Sequence, residues 1–341
     1  MMTGKRLHSL DYLRGLCAFG IMLYHFLPGS LDQYGSDNFL ARLGVFGVSI
    51  FYILSGITLY HVYADQLHLS KKSVLEYLTK RIFRIFPLLW AVTLLYVFLS
   101  SRSFDANVIF LNLSGMFSVY KWDAAIATGA WSIGNELFFY ALFPLLLWTL
   151  KKNKIVFFSL LSFSFALCLY YSFYGMNNES SLWNQWHSYT NPLNQLFLFA
   201  GGVYSGFLLH NKTQKSLWIL ALLLLSIFTF IVYPVQGDLI HLLTGMNRLV
   251  FYFLCFIICF CFYKLPFELP DFLHRPLSKL GEMSYSVYLL HPIVYGTLRH
   301  FYKEESNLLF IISAIALTLT ISYFVYSFFE KKFIEMGKAF S

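Results

Sequence analysis

Ten long apolar segments follow one another along the chain, and this pattern restricts the possible folds more strongly than any other feature. Each segment is close to the roughly 20 residues that a helix needs to cross a bilayer. We predict spans at residues 9–27, 43–63, 85–100, 131–150, 155–174, 192–209, 216–234, 247–263, 282–299 and 307–329. The third span is short. The segment 107–120 is too short and too polar to be assigned as a span, and a re-entrant segment is the alternative there.

The composition agrees with a membrane protein rather than with two soluble domains. Hydrophobic residues make up 58% of the chain and charged residues only 12%, whereas about 25% of a soluble domain is charged. We therefore predict an all-α polytopic integral membrane protein that forms a single membrane-embedded domain over residues 1–341. Only twelve residues follow Phe329, so we expect no soluble domain at the C-terminal end.

The distribution of lysine and arginine predicts the orientation. If the N-terminus is cytoplasmic, eighteen of these residues fall in inner segments and five in outer ones. Positively charged residues collect in cytoplasmic loops, so both termini are predicted to be cytoplasmic. The same rule accounts for the net charge of +8 without a nucleic-acid partner.

Two groups of small residues are predicted to pack helices rather than to carry chemistry. All five cysteines lie in apolar runs, and Cys255, Cys259 and Cys261 lack the histidine or acidic neighbours that would complete a metal site. No metal is therefore expected. Glycine-containing stretches at 44–60 and 197–207 would let helices approach each other closely.

The first span carries two ionisable residues, Arg14 and His25. In a helix they are about three turns and ~16 Å apart, on nearly the same face. Ionisable side chains inside a membrane are costly and usually face a bundle interior or a wet cavity, so a functional site is the default interpretation. The alternative is a snorkelling arginine and an interfacial histidine.

The fourth span enters from outside at Trp131 and places Glu136 ~8 Å deep, at a depth similar to that of His25. A carboxylate there could pair with His25 and hold its ring in one tautomer. The alternative is a structural pair between Glu136 and Arg248 or a hydroxyl group.

On the predicted cytoplasmic side, Lys80, Arg81 and Arg84 form a basic cluster. Arg81 and Arg84 are neighbours on one helical face, and guanidinium groups offer forked, charge-assisted hydrogen bonds to phosphate. The cluster is thus a candidate phosphate clamp. Anchoring to anionic lipid is an equally good interpretation from spacing alone.

The ninth span contains His291, ~15 Å from its start and near mid-membrane. Ser284 and Tyr288 add hydroxyl groups on its cytoplasmic half, and Pro292 would free a backbone carbonyl in the preceding turn. A histidine packed against a hydroxyl group is the alternative to a functional role.

Taken in order, these segments resemble acyltransferase family 3, a family of integral membrane O-acyltransferases. The motifs are LDYLRG followed by YH, GVSIFYILSG, RIFRIFP, WSIGNELFFY, FLFAGG and SYSVYLLHP. Two departures are local. Phe86 stands where tyrosine is common before Pro87, and FFEKKF around Glu330 lacks the proline that often follows.

The resemblance implies that Arg14 and His25 are essential, with His25 as catalytic base, and that Arg81 and Arg84 help to hold a cytoplasmic acyl-CoA. It places Glu136 and His291 in family motifs without settled roles. It also implies acetyl-CoA as donor substrate, with no bound cofactor, and a lipid-linked or surface polysaccharide such as O-antigen as acceptor. The location would be a bacterial-type plasma (inner) membrane. Some relatives carry a soluble esterase-like C-terminal domain, and here the membrane domain would complete the transfer alone.

Two mechanisms and two other functions remain open at this level. His25 could activate the acceptor directly or carry the acyl group transiently. Arg14, His25 and Glu136 could instead form the pathway of a transporter or flippase for lipid-linked sugars. A membrane sensing or scaffold module without catalysis is the third possibility.

Overall fold

The computed structural model describes residues 7–27, 35–100, 103–210, 216–265, 269–301 and 308–340. Within these ranges the regular structure is entirely helical. The first eight helices are α1 (His8–Phe26), α2 (Phe39–Tyr63), α3 (Lys71–Leu99), α4 (Ala106–Ser114), α5 (Phe117–Tyr120), α6 (Ala130–Lys152), α7 (Lys154–Tyr170) and α8 (Trp186–Thr190). The others are α9 (Pro192–Leu209), α10 (Leu217–Val232), α11 (Ile240–Leu243), α12 (Gly245–Lys264), α13 (Asp271–Glu282), α14 (Ser284–Phe301), α15 (Leu308–Phe324) and α16 (Lys331–Ala339).

Six helical segments in the described part of the chain are long and apolar enough to cross a membrane. They are α2, α3, α6, α12, α7 with the π-helical turn that extends it to Gly175, and the continuous segment from α15 through a π-helical turn to α16. Four further helices of 16 to 19 residues, α1, α9, α10 and α14, coincide with the other predicted spans. The all-helical membrane class is thus confirmed, whereas the number of ten spans and the side of the termini stay predictions.

The third helix differs from its predicted bounds. The sequence predicts a loop at 64–84 and a short span from 85, but α3 starts at Lys71 and runs for 29 residues. Ser70 caps it, because the Ser70 side chain accepts a hydrogen bond from the backbone N–H of Ser73 at 3.2 Å. Arg81 and Arg84 therefore project from the middle of a continuous helix, and their predicted place on one helical face is confirmed.

The segment 107–120, which the sequence did not assign as a span, lies in two short helices, α4 and α5. They are separated by Gly115, whose φ of +73° ends α4. Glycine is the usual residue at such a left-handed helix end because it has no Cβ to clash.

The first helix, α1, packs against α2, α13 and α14 in the bundle. Its contact with the amphipathic helix α13 is so close that a Cβ at Gly281 would lie 2.1 Å from the carbonyl oxygen of Asp11. Helices α2 and α9 approach similarly, since a Cβ at Gly56 or Gly202 would lie 2.4 Å from a backbone oxygen of the other helix. The predicted packing role of these small-residue stretches is confirmed.

Candidate active site

Two cavities bring most of the predicted site residues together. The first, which we call the arginine cavity, has a volume of about 330 Å³ and contains Arg14, Arg81 and Arg84 in its wall. Its other polar lining residues are Asp11, Tyr52, Ser55, Ser132, Glu136, Tyr140, Glu282, Ser284, Tyr285, Tyr288 and Tyr326. Helices α1, α2, α3, α6 and α14 therefore all contribute to one polar space inside the bundle.

Arg14 and Arg81 are the two guanidinium groups of this cavity that have no carboxylate partner among the described residues. Arg14 donates from Nη2 to the hydroxyl of Thr58 at 2.7 Å. Arg81 donates to the hydroxyl of Tyr63 at 3.1 Å, and its guanidinium lies 5.5 Å from the centre of the same ring. Arg14 thus faces a polar cavity, which excludes the alternative of a side chain that snorkels along lipid.

Arg84 is differently placed, because it forms an ion pair with Glu330. The Nη1 of Arg84 lies 2.5 Å from Oε1 of Glu330, whose side chain is only 2% exposed. The hydroxyl of Ser286 donates to the other carboxylate oxygen at 2.6 Å. The charge of Arg84 is therefore largely neutralised within the protein, and its role in holding the donor stays a prediction.

Lys80 does not belong to the wall of the arginine cavity. It precedes Arg81 directly in α3, and consecutive residues of a helix project about 100° apart. The structure therefore divides the predicted cluster of three cations. Arg81 faces the cavity and has no carboxylate partner within the described ranges, Arg84 faces it as part of an ion pair, and Lys80 projects elsewhere.

Glu136 contacts a hydroxyl group rather than His25. Its carboxylate accepts a hydrogen bond from the side chain of Ser55 and lines the arginine cavity, whereas His25 lines the second cavity. The predicted pair of Glu136 and His25 is therefore wrong. Of the alternatives, the hydroxyl partner is the one that the structure shows, since Arg248 bonds to Asn194 and Tyr252.

The second cavity, which we call the histidine cavity, has a volume of about 380 Å³. It is lined by His25 together with Tyr24 of the same helix and by aromatic side chains from α6, α8, α14 and the connection before α8. The aromatic side chains are Trp131, Trp183, Trp186, Tyr189 and Tyr288, and the polar ones include Asp123 and Thr128. Arg14 and His25 thus both face cavities, as their spacing on α1 predicts, but they face different ones.

His25 and His291 are hydrogen-bonded to each other across α1 and α14. The Nδ1 of His25 lies 2.8 Å from Nε2 of His291, and the rings are stacked with centroids 5.0 Å apart. His291 is 1% exposed. Its second nitrogen, Nδ1, lies 3.0 Å from the carbonyl oxygen of Val287.

These two contacts define the tautomers of the neutral pair. A carbonyl oxygen only accepts, so Nδ1 of His291 carries the proton and its Nε2 is an acceptor. Nδ1 of His25 must then donate to His291, which leaves Nε2 of His25 without a proton. This is the form of the ring that can act as a base. The alternative of a hydroxyl partner for His291 is not what the structure shows.

Tyr288 and Val48 line both cavities and mark the place where they meet. The hydroxyl of Tyr288 lies 2.8 Å from Oγ of Ser132 and donates to the carbonyl of Gly129 at 3.3 Å. Ser132 lines the arginine cavity and Gly129 the histidine cavity. The predicted supporting residues are therefore divided: Ser284 belongs to the first cavity, Trp131 to the second and Tyr288 to both.

Several residues of this site are not predicted from the sequence. Glu330 is a lone acidic residue next to the last apolar run, and that position could have identified it as a partner for a buried cation. Two tryptophans, Trp183 and Trp186, lie in the polar connection between two predicted spans. No hydrophobic periodicity there predicts that they line a site. Ser55 lies in the GVSIFYILSG motif, but the motif alone does not indicate that its side chain contacts Glu136.

The structure holds no cluster of three or more His, Cys, Asp or Glu side chains arranged for a metal ion within the ranges that it describes. All five cysteines are buried and unpaired. They are distributed over α1, α7 and α12, in agreement with packing positions.

The fold and the two cavities together define a helical membrane protein with an ionisable site inside its bundle. The family model described as "Acyltransferase domain" matches residues 7–327, so the chain belongs to this family and is an acyltransferase. The resemblance recognised from the motifs is thereby confirmed.

Individual relatives are more distant. The O-acetyltransferase OatA of Staphylococcus aureus matches in strains NCTC 8325 / PS 47, COL and MRSA252, in each case with 24% identity over 373 aligned residues. The match covers 100% of this chain, and the chain spans 59% of the length of these curated relatives. No solved structure matches the chain.

Proposed function

We propose that this protein is a membrane O-acetyltransferase that moves an acetyl group from cytoplasmic acetyl-CoA to a hydroxyl group of a surface polysaccharide such as O-antigen. One observation carries the proposal: a cavity with two guanidinium groups that have no carboxylate partner among the described residues meets a cavity with an oriented histidine at Tyr288 and Val48. A donor with phosphates at one end and an acyl group at the other matches this arrangement.

The arginine cavity is the proposed donor end. Coenzyme A carries phosphate groups, and guanidinium groups bind phosphate through forked, charge-assisted hydrogen bonds. Arg14 and Arg81 are suited to this role because neither has a carboxylate partner in the part of the chain that the structure describes. The thioester would then extend past Tyr288 toward His25, with the predicted orientation placing the arginine cavity toward the cytoplasm.

At the histidine cavity, His25 would act as general base. Its Nε2 would remove the proton of the acceptor hydroxyl while the oxygen attacks the thioester carbonyl. The new C–O bond forms, the C–S bond breaks, and the imidazolium returns the proton to the departing thiolate. Such base catalysis contributes roughly 10²- to 10⁴-fold to the rate. The two-step variant places the acyl group on His25 before the acceptor takes it.

The acetyl group and the polysaccharide acceptor are proposed from the relatives and from the family resemblance. Acetyl transfer is supported by the name of the relatives, O-acetyltransferase OatA. The acceptor and the location in a bacterial inner membrane, with both termini cytoplasmic and lipids around the bundle, follow from the family resemblance and from the distribution of basic residues.

Membrane vesicles that contain the protein, supplied with labelled acetyl-CoA and purified O-antigen polysaccharide, test the function. Label transfer to the polysaccharide that depends on His25 is the expected result. Absence of transfer together with sugar translocation would contradict the enzyme function and favour a flippase. Initial rates at varied concentrations of both substrates then distinguish the mechanisms, because intersecting lines argue against an acyl-enzyme and parallel lines support one.

A further inference from the structure

The wall of the histidine cavity contains a continuous group of aromatic rings that the proposed chemistry does not use. Trp131 and Trp186 have ring centroids 5.6 Å apart, and Trp183 and Trp186 have centroids 5.1 Å apart. Tyr189 lies 5.1 Å from Trp131 and 5.6 Å from Trp186. We call these four residues the aromatic wall.

The position of the aromatic wall on a cavity separates it from an ordinary membrane belt. Trp148 and Trp218 are 41% and 85% exposed and line none of the described cavities, as is typical of tryptophan at a lipid interface. Trp131 is only 8% exposed, whereas Trp183 is 45% exposed, and both line the cavity that holds His25. The wall therefore extends from the protein interior to an accessible edge, on the same cavity as the base.

The polar residues of the cavity indicate what kind of molecule it binds. Asp123 and Thr128 also line it, and Asp123 pairs with His187 at 3.1 Å. A lipid chain would gain nothing from a carboxylate and a hydroxyl, whereas a sugar ring combines an apolar C–H face with hydroxyl groups at its edge. Aromatic rings carry negative charge on their faces and attract such C–H groups.

We infer that the aromatic wall is the subsite for a pyranose ring of the acceptor, which stacks against Trp183 and Trp186 and presents one hydroxyl group to His25. This inference rests on the proposed function. The cavity volume of about 380 Å³ lies within the range of small-molecule sites, about 300–1,000 Å³. The wall orients the acceptor, and Asp123 and Thr128 accept or donate hydrogen bonds at the ring edge.

Saturation-transfer NMR on the full chain in lipid nanodiscs tests the subsite directly. The probes are the soluble trisaccharides chitotriose and maltotriose, and sorbitol serves as a control that has hydroxyl groups but no ring. We expect saturation transfer to the pyranose C–H protons of at least one trisaccharide and none to sorbitol. Trp183→Leu should weaken binding about tenfold, the equivalent of one aromatic contact. Trp183→Phe should retain part of the binding affinity.

Trp148→Leu is the matched control, because Trp148 belongs to the same helix as Trp131 but lies outside the cavity. It should bind the trisaccharides as the unaltered protein does. The inference would be overturned if Trp183→Leu and Trp186→Leu bound the trisaccharides with the same affinity as the unaltered protein. It would also be overturned if the unaltered protein bound neither trisaccharide. Equal thermal unfolding temperatures of the variants exclude a loss of fold.

The kinetic measurement separates this inference from the proposed function. In the transferase assay Trp183→Leu should raise the acceptor KM about tenfold and leave the acetyl-CoA KM unchanged. If the unaltered protein transfers acetyl groups and the acceptor KM of this variant is also unchanged, the subsite is wrong while the function stands. If no transfer occurs at all, the NMR experiment still decides whether the wall binds sugar.

Discussion

His25 donates a hydrogen bond from Nδ1 to Nε2 of His291 at 2.8 Å, and His291 in turn donates from Nδ1 to the carbonyl of Val287. The backbone of α14 thus sets the tautomer of a side chain on α1. The first helix thus carries the proposed base, and His291 of the ninth predicted span sets the tautomer of that base.

Replacement of His25 by glutamine should remove the base. We expect kcat for acetyl transfer to fall about 10²- to 10⁴-fold, the usual contribution of a general base, with the acetyl-CoA KM little changed because the donor phosphates bind elsewhere. The measurement is the transfer of labelled acetyl groups in vesicles, with His68→Gln as control, since His68 is exposed and lies in neither cavity. A His25→Gln variant with full activity would contradict the role of His25.

Replacement of His291 by glutamine tests its role as a positioning residue. Glutamine can still accept from His25 but does not enforce the same tautomer, so we expect kcat to fall about 10- to 100-fold, less than for His25→Gln. The rate of the unaltered protein should fall as the pH is lowered, because protonated imidazole cannot accept a proton. In His291→Gln the midpoint of that pH profile should move. A lower activity with an unmoved profile would indicate a structural role only.

The sequence predicted the class of the fold and the side chains that line cavities, but not their partners. The spacing of Arg14 and His25 on one helix face and the cost of charges in a membrane suffice to place both in the bundle interior. Their contacts depend on how distant helices pack. His25 and His291 are 266 positions apart, and Arg84 and Glu330 are 246 apart. A local sequence pattern does not predict contacts between residues so far apart in the chain. This explains why the predicted pair of His25 and Glu136 is wrong.

Arg81 should contribute more to donor binding than Arg84. Arg81 faces the arginine cavity, and no carboxylate in the described part of the chain pairs with it. Arg81→Gln should therefore raise the acetyl-CoA KM about tenfold or more through the loss of charge-assisted bonds. Lys80→Gln is the matched control from the adjacent position, and its donor KM should stay near that of the unaltered protein. A larger effect at Lys80 would mean that the donor binds outside the arginine cavity.

The Arg84–Glu330 ion pair should act on stability. Arg84→Met leaves the buried carboxylate of Glu330 without its ion-pair partner, while the hydrogen bond from Ser286 stays. The loss of one partner of a buried pair costs about 3–5 kcal/mol. The double variant Arg84→Met with Glu330→Met removes both charges and should recover most of that loss. The stability of the variants is measured by thermal unfolding in detergent, monitored by tryptophan fluorescence. If the double variant is no more stable than Arg84→Met alone, the two residues do not stabilise the fold as a pair.

The glycine contact between α1 and α13 should be sensitive to a single methyl group. A Cβ at Gly281 would lie 2.1 Å from the backbone oxygen of Asp11, and since a backbone atom cannot rotate away, Gly281→Ala must separate the two helices. Overpacking of this kind costs about 1–3 kcal/mol. Gly281, Glu282 and Asp11 all line the arginine cavity, so the acetyl-CoA KM should rise together with the loss of stability.

Gly296 provides the matched control. It lies inside α14, and a Cβ there would meet no atom within 4 Å, so Gly296→Ala should be neutral or stabilise by about 0.4–1 kcal/mol through the unfolded state. The thermal unfolding temperatures of the two variants, measured side by side, check both expectations. Equal temperatures would show that α1 and α13 are not packed as closely as the structure places them, and that the wall of the arginine cavity does not depend on this contact.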